Sequence, residues 1–512
     1  MNNIILIVVL WAAALYTLLL GLLHWSQDPR EPPVLLDRIP FFTPITSILS
    51  KRFRLYLHLF EQYRLPIYTL RLPFCRLYIV NETKLVTSIE RQAKVIAFQP
   101  IEAKACSNLL GMSEHAKRTM SDSPTSDEGH FVTFHKAFRP AVGPGPSLDA
   151  MISRAACSIQ TSLHDTRAQG VTRVRLFKWI QHEITIATTD AEFGPGNPFR
   201  CPEFESAWYE LEPGVPFMAT NVLPTILARK ALKAREYLTK GFAEYFRCGH
   251  HNTASEGVLV RLNHSLQAGF TMDDVARGEI GSTIAILNNS VSAAFWMIHH
   301  VFSDPSVLDE CRKEVDAAMR VDQDRCTVDF SIIKTSCPAL QSTFQEVLRY
   351  RGIGNLIVRQ VLEDHILDSR FLVKKGGLVL IPNAVQHFKN DIWGDDAGEF
   401  HHRRFVGSDA PGGLKRYNQA AFRPFGGGSL LCPGRHFATT EILCFAALMV
   451  ASFDIKPVHS GWSRVKTDRS FGMGVARLFL LPDADIDVEM QPRGDLALQY
   501  ALTGTWSKYE RQ

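Results

Sequence analysis

Between Phe425 and Gly434 the chain reads FGGGSLLCPG, three glycines ahead of a single cysteine, followed by a helical pattern, RHFATTEILCFAALMVASF. Glycines let a backbone approach a ligand closely and turn through positive φ, which a loop wrapping a flat cofactor needs. The segment places Cys432 at a helix N-terminus, where the dipole favours thiolate over thiol and backbone N–H groups can tune a metal-ligating sulfur. Taken alone, it also fits a glycine-rich turn around a buried structural cysteine. A phosphate-cradling loop would carry a Lys-Ser/Thr pair that is missing here.

The rest of the chain narrows the setting. Its 512 residues are 46% hydrophobic and 21% charged, with 33 Gly and 27 Pro, which excludes collagen-like and disordered chains. A net charge of +4 without a basic stripe excludes nucleic acid as partner. Ten cysteines without a Cys-x-x-Cys pair argue against zinc sites and a disulfide scaffold, and for a reducing compartment. From Ile4 to Leu23 no residue is charged, and a helix of that length spans roughly 30 Å of hydrocarbon. No basic segment precedes it, and Arg30, Arg38, Lys51, Arg52 and Arg54 all follow, so the positive-inside rule puts the body in the cytosol. The expected organisation is an anchor at 4–23, a stiff, non-helical proline-rich linker at 24–50, and one body at 51–512.

Within that body, LPIYTLRLPFCRLYIV (65–80) reads as a β-hairpin and 81–265 as mostly helix. Thr271 and Asp274 form a capping-box pattern opening a helix of about thirty residues that ends before Ser303, Asp304 and Pro305. Asn288, Asn289, Ser290 and Ser292 interrupt its apolar centre, and buried amides and hydroxyls need partners. Short strands return from Val358 to Asn383, and an irregular stretch runs on through Gly428. The fold class is therefore mainly α with a small β-rich subdomain.

Phe425-x-x-Gly428-x-x-x-Cys432-x-Gly434, followed by Phe437-Ala438-x-x-Glu441, resembles the haem-binding signature of the cytochrome P-450 superfamily, the haem-thiolate monooxygenases. Ordered upstream are Glu346-x-x-Arg349 and, in FHHRRF, Arg404. The resemblance implies that these three lock the loop beneath haem b (iron protoporphyrin IX), that Cys432 is the axial ligand, and that Arg359 meets a haem propionate. It also places Asn289 and Ser290 in the oxygen-binding groove, where the family usually has an acid followed by Thr. Such an amide occurs in the branch resembling sterol 7α-hydroxylases and prostacyclin synthase. Leu430 stands where the family commonly has a propionate-binding Arg or His; His135 and Arg139, four apart on one helix, are the candidates to compensate.

The resemblance further implies an NADPH-cytochrome reductase, a lipophilic substrate such as a terpenoid, steroid or polyketide natural product, and a single-pass anchor in the endoplasmic reticulum membrane. An apolar, proline-broken lid is expected at Leu211–Leu227, with pocket loops at Gly352–Leu356 and Phe471–Val475. Two alternatives accompany this reading: a haem-thiolate isomerase or dehydratase acting on a peroxide, and a haem-binding sensor without turnover.

Overall fold

Residues 2–35, 38–322, 325–354, 358–407, 414–459, 461–462, 465, 467, 479–494 and 499–503 are described by a computed structural model. Of the expected pocket loops, Phe471–Val475 and residues 355–356 lie outside these. The chain divides into two compact units: residues 1–102, 353–397 and 418–431 form the first, and 103–352, 398–417 and 432–512 the second.

The first unit begins with α1 (Asn2–Ser26), whose aliphatic side chains are exposed from Ile4 to Leu18, with Leu23 buried near its end. The charge-free run propagates a helix because its Leu, Ala and Ile residues carry no competing polar side chains. Its stretch Ile4–Ser26 is long and apolar enough to cross a membrane. The linker that follows is not a free spacer. Arg76 and Arg71 donate to Ser26, Glu31 accepts from the Tyr78 hydroxyl at 2.7 Å, and Val34 bridges to Thr69. Nor is it non-helical throughout: α2 (Thr43–Lys51) has Pro44 in its first turn, where a missing N–H costs nothing and the fixed φ suits the helix.

The 65–80 hairpin forms as β1 (Ile67–Leu72) and β2 (Cys75–Val80), antiparallel in the register Ile67 to Val80. With β3 (Ile96–Ala97), β4 (Val358–Val361) and β5 (Leu378–Leu380) they make a five-stranded sheet, ordered β1-β2-β5-β4-β3. Helix α3 (Thr83–Arg91) turns Leu85, Val86 and Ile89 into the core under this sheet, beside Ile67, Tyr78 and Val361. Short helices at Asn383–His387 and Asn390–Trp393 break the stretch expected to be irregular.

The second unit is helical. Its elements include α4 (His130–Val142), α5 (Leu176–Phe193), α6 (Pro224–Leu227), α7 (Arg229–Arg247), α8 (Glu256–Gln267), α9 (Met272–Ser303), α10 (Pro338–Arg351) and α11 (Arg435–Ser452). The long helix α9 runs through its middle, packed against α5, α7, α8, α10 and α11. The expected capping box starts it, with Thr271 accepting from the Asp274 amide at 3.1 Å and Asp274 accepting from Thr271. Asp304 caps the following helix. Two three-stranded sheets complete the unit.

Candidate active site

Cys432 stands just before α11, half-buried, with Gly434 as the helix N-cap. The N–H groups of Gly434 and Arg435 donate to its sulfur, and the Arg435 charge lies close. Burial pushes the thiol up, while these donors and that charge pull the other way. Among the described residues nothing lies within 4 Å of a Cβ placed at Gly434, so none of them accounts for the missing side chain. In the first unit, Gly426 and Gly428 have φ of 78° and 60°, where a side chain would be strained. Gly427 admits none either, because a Cβ would lie 2.3 Å from the Glu90 carboxylate. Phe425 opens this turn, half-buried.

The acid–base cluster read from the sequence is assembled. Glu346 and Arg349 are buried completely, one turn apart on α10, and the pair is bidentate: Arg349 Nε to Oε2 and Nη2 to Oε1, both 2.7 Å. Arg404 adds Nε to Oε1 at 3.1 Å, and the His401 amide adds 2.9 Å. Both guanidinium groups also donate to the Glu399 carbonyl. One carboxylate thus ties the 399–404 turn to α10.

Arg359 lies on β4, paired with Val379 of β5, and is buried with its Nη1 lacking any protein partner. Desolvation, with the charge of Arg423 beside it, lowers its pKa to about 10. Arg423 is buried as well and donates to Glu90 at 2.7 Å. Two buried arginines share one carboxylate, and an orphaned guanidinium N–H needs an anion. The sequence reading missed Glu90 and Arg423; the hint was Arg423 in FRPFGGG, two residues before the glycine turn began.

Along α9, Gly281, Ser282, Ala285, Ile286 and Asn289 recur every three or four residues and form a face that protein does not cover completely. After Asn289 the helix is buried through Phe302. Ser290 is buried at the end of this face, and Asn288, which the reading left without a role, is buried with its Oδ1 unpartnered. In the second unit, an uncovered helix face and a sulfur with amide donors suit a large planar cofactor with a thiolate-bound metal; in the first unit, taken by itself, a buried arginine without an anion suits a cofactor carboxylate. The residues present therefore fit haem.

Other expected residues sit differently. His135 is half-buried on α4 against Phe131 and Phe134 and close to His130 and His264, while Arg139 is exposed. Glu441 is buried on α11 and accepts from Thr188 Oγ1 at 2.7 Å, while its Oε2 has no partner among the described residues. Burial raises its pKa to about 8. Spacing along the chain gave no sign of the Thr188 contact, 253 residues away.

The chain matches the family model for cytochrome P450 over residues 32–480, and it belongs to that family. It is a haem-dependent monooxygenase, and the family holds its haem by a cysteine thiolate. Among its relatives is cytochrome P450 monooxygenase nodJ of Hypoxylon pulicicidum, 33% identical over 469 residues, 89% of this chain and 90% of that one. A cytochrome P450 monooxygenase of Gibberella zeae is 24% identical over 448 residues, 86% of this chain and 84% of its own. Cholesterol 7-alpha-monooxygenase of Cricetulus griseus is 26% identical over 272 residues, 49% of this chain and 53% of its own. These names support neither the peroxide isomerase nor the sensor alternative.

Proposed function

We propose that Cys432 is the thiolate that holds haem b, and that the enzyme inserts one oxygen atom into a lipophilic small molecule of terpenoid, steroid or polyketide type. One observation carries the proposal: the Cys432 sulfur sits at the start of α11, receiving the amides of Gly434 and Arg435. Those donors spread the charge of a thiolate and hold the sulfur in a fixed direction. Haem bound there supplies the activation of molecular oxygen, with electrons from an NADPH-cytochrome reductase. Arg359, buried with its Nη1 unpartnered among the described residues, would hold a haem propionate. Phe425, Gly428 and Gly434 shape the loop around the cofactor, and Glu346, Arg349 and Arg404 fix the turn at 399–404.

Ser290 Oγ passes a proton towards the reacting centre and the Asn289 amide orients the water that resupplies it. Neither group is acidic, so the proton must originate from solvent. His135 and Arg139, four apart on α4, we assign as the groups that compensate for Leu430. A lipophilic substrate agrees with the exposed apolar α1, with the apolar segment Leu211–Leu227, and with the sterol named for the hamster relative. We place the anchor at 4–23, the linker at 24–50 and the catalytic body at 51–512, with single-pass insertion in the endoplasmic reticulum membrane and the body in the cytosol.

The test is the spectrum of the reduced, carbon-monoxide-treated protein. The native chain is expected to give a strongly red-shifted Soret band and Cys432→Ser to lose it; identical spectra would refute the ligand assignment. Substrate oxidation that proceeds without NADPH and reductase would refute the electron route.

A further inference from the structure

The helix Pro146–Ala168 packs along α11 within the second unit. Gln160, Leu163, His164 and Arg167 fall at i, i+3, i+4 and i+7 on one of its faces, while Leu448 and Ser452 stand four apart on α11. Between them these side chains line a cavity of about 10 Å³. Leu163 and Leu448 give it apolar walls, and the other four lining residues can hydrogen-bond.

Ser452 closes α11 and is fully buried. A serine hydroxyl inside a helix commonly donates to the carbonyl four residues back. That bond is not made here. Ser452 Oγ has no partner among the described residues, and neither has His164 Nδ1. The carbonyls at this helix end are taken by guanidinium groups: Arg167 Nη1 donates to Ser452 O at 2.7 Å and to Arg493 O at 2.9 Å, and Arg493 Nη1 donates to Val450 O at 2.7 Å. A hydroxyl donor and an imidazole nitrogen thus line one small cavity, each buried and each short of a partner, which is destabilising unless a third group joins them.

We propose that this cavity binds one water molecule, which accepts from Ser452 Oγ and donates to His164 Nδ1, joining the helix Pro146–Ala168 to the end of α11. The volume suffices for one water and for nothing larger. A halide would exceed the space, and a metal or ammonium cation would lie beside the buried Arg167 charge. Two polar partners are enough to hold a buried water, and Gln160 is a third within the lining. The site is at the opposite end of α11 from Cys432, so the water would add to Arg167 and Arg493 in fixing that helix from its C-terminus.

The test is the room-temperature crystal structure of the haem-loaded native chain beside that of Ser452→Ala, with native crystals also soaked in bromide. A single density peak about 2.6–3.2 Å from both Ser452 Oγ and His164 Nδ1 is expected in the native chain and should be lost in Ser452→Ala. A cavity without density would overturn the site. So would an anomalous bromide signal there, which would make it an anion site, or a peak unaltered in Ser452→Ala. Urea unfolding of the haem-loaded proteins gives a measurement that needs no crystal. In the cycle of Ser452→Ala, His164→Ala and the double variant, the two effects on the unfolding constant should depart from a simple product by about threefold or more, because the water couples side chains that do not bond each other. Effects that multiply to within about twofold would refute the bridge.

Discussion

Glu346→Gln is expected to be the most damaging single change in the ionic cluster. The carboxylate is fully buried and accepts four hydrogen bonds: two from Arg349 at 2.7 Å, one from Arg404 at 3.1 Å and one from the His401 amide at 2.9 Å. Gln keeps the size, yet its NH₂ points a donor at guanidinium donors, and two buried cations lose the carboxylate charge they share. Removing one partner from a buried pair costs about 3–5 kcal/mol. At about 2.1 cal/mol/K of unfolding entropy per residue, a chain of 512 residues loses about 1 °C in Tm per kcal/mol, so a fall of about 3–5 °C is expected. Arg404→Ala leaves the bidentate Glu346–Arg349 pair intact. It forfeits one bond at 3.1 Å and one to the Glu399 carbonyl at 3.3 Å, costing about 1–2 kcal/mol, or about 1–2 °C. Thermal unfolding of the haem-loaded proteins, followed in parallel by far-ultraviolet circular dichroism and by the Soret band, measures both. A Glu346→Gln protein that melts within a degree of the native chain, or an Arg404→Ala protein that melts lower than it, would show that Glu346 is not the anchor of the cluster.

Three further outcomes follow from the geometry. Arg359→Ala removes a buried, unpaired guanidinium N–H and should leave the haem-free chain no less stable, while haem transfer to a scavenger protein quickens by about 10- to 100-fold, as expected for a charge-assisted bond of about 1.5–3 kcal/mol; unchanged transfer would remove Arg359 from the cofactor site. Glu441, raised by burial to about 8, takes its proton back in the fold well above the ordinary carboxylate range. The folded state therefore binds this proton more tightly than the unfolded one, so stability should fall as pH rises from 4.5 to about 8. Glu441→Gln should flatten that slope in denaturant titrations, and a native-like slope in the variant would refute it. Ser290→Ala should lower product formed per NADPH consumed by about 10-fold or more with the Soret spectrum unchanged, and full coupling would dismiss its hydroxyl as the proton carrier.

What could be read from the sequence was local. The hairpin at 67–80, the Thr271/Asp274 box and the helix after Cys432 each follow from residues within a few positions of one another. The Glu346–Arg349 pair is one helical turn, and Arg404 was found only because the family order places it there. Contacts between residues far apart along the chain were invisible. Arg423 meets Glu90 across 333 positions and Glu441 meets Thr188 across 253, and no periodicity encodes either. Pro44 misled for a different reason: proline stops a helix from within but starts one from its first turn, and sequence alone did not say which position it would take.

The distribution of charge fits the proposed placement of Asn289 where the family usually has an acid. Beside β4, Arg359 and Arg423 share Glu90; on α10, Arg349 and Arg404 share Glu346. Each cluster holds one more guanidinium than carboxylate. This is no general habit of the chain, because the buried Arg261 is set between two acids, Glu192 and Glu279, at 2.6 and 2.7 Å. Each unit by itself carries such a cluster, and in the second unit burial raises the Glu441 carboxyl and residue 289 is an amide. A cofactor that brings two carboxylates and is bound by a thiolate brings the negative charge itself. An ionised acid at 289 would add to that charge, whereas the Asn289 amide adds none, as the proposed proton route through a hydroxyl and water requires. Asn289→Asp should accordingly lower the haem reduction potential, and a potential unchanged from the native protein would show that this position carries no electrostatic weight at the cofactor.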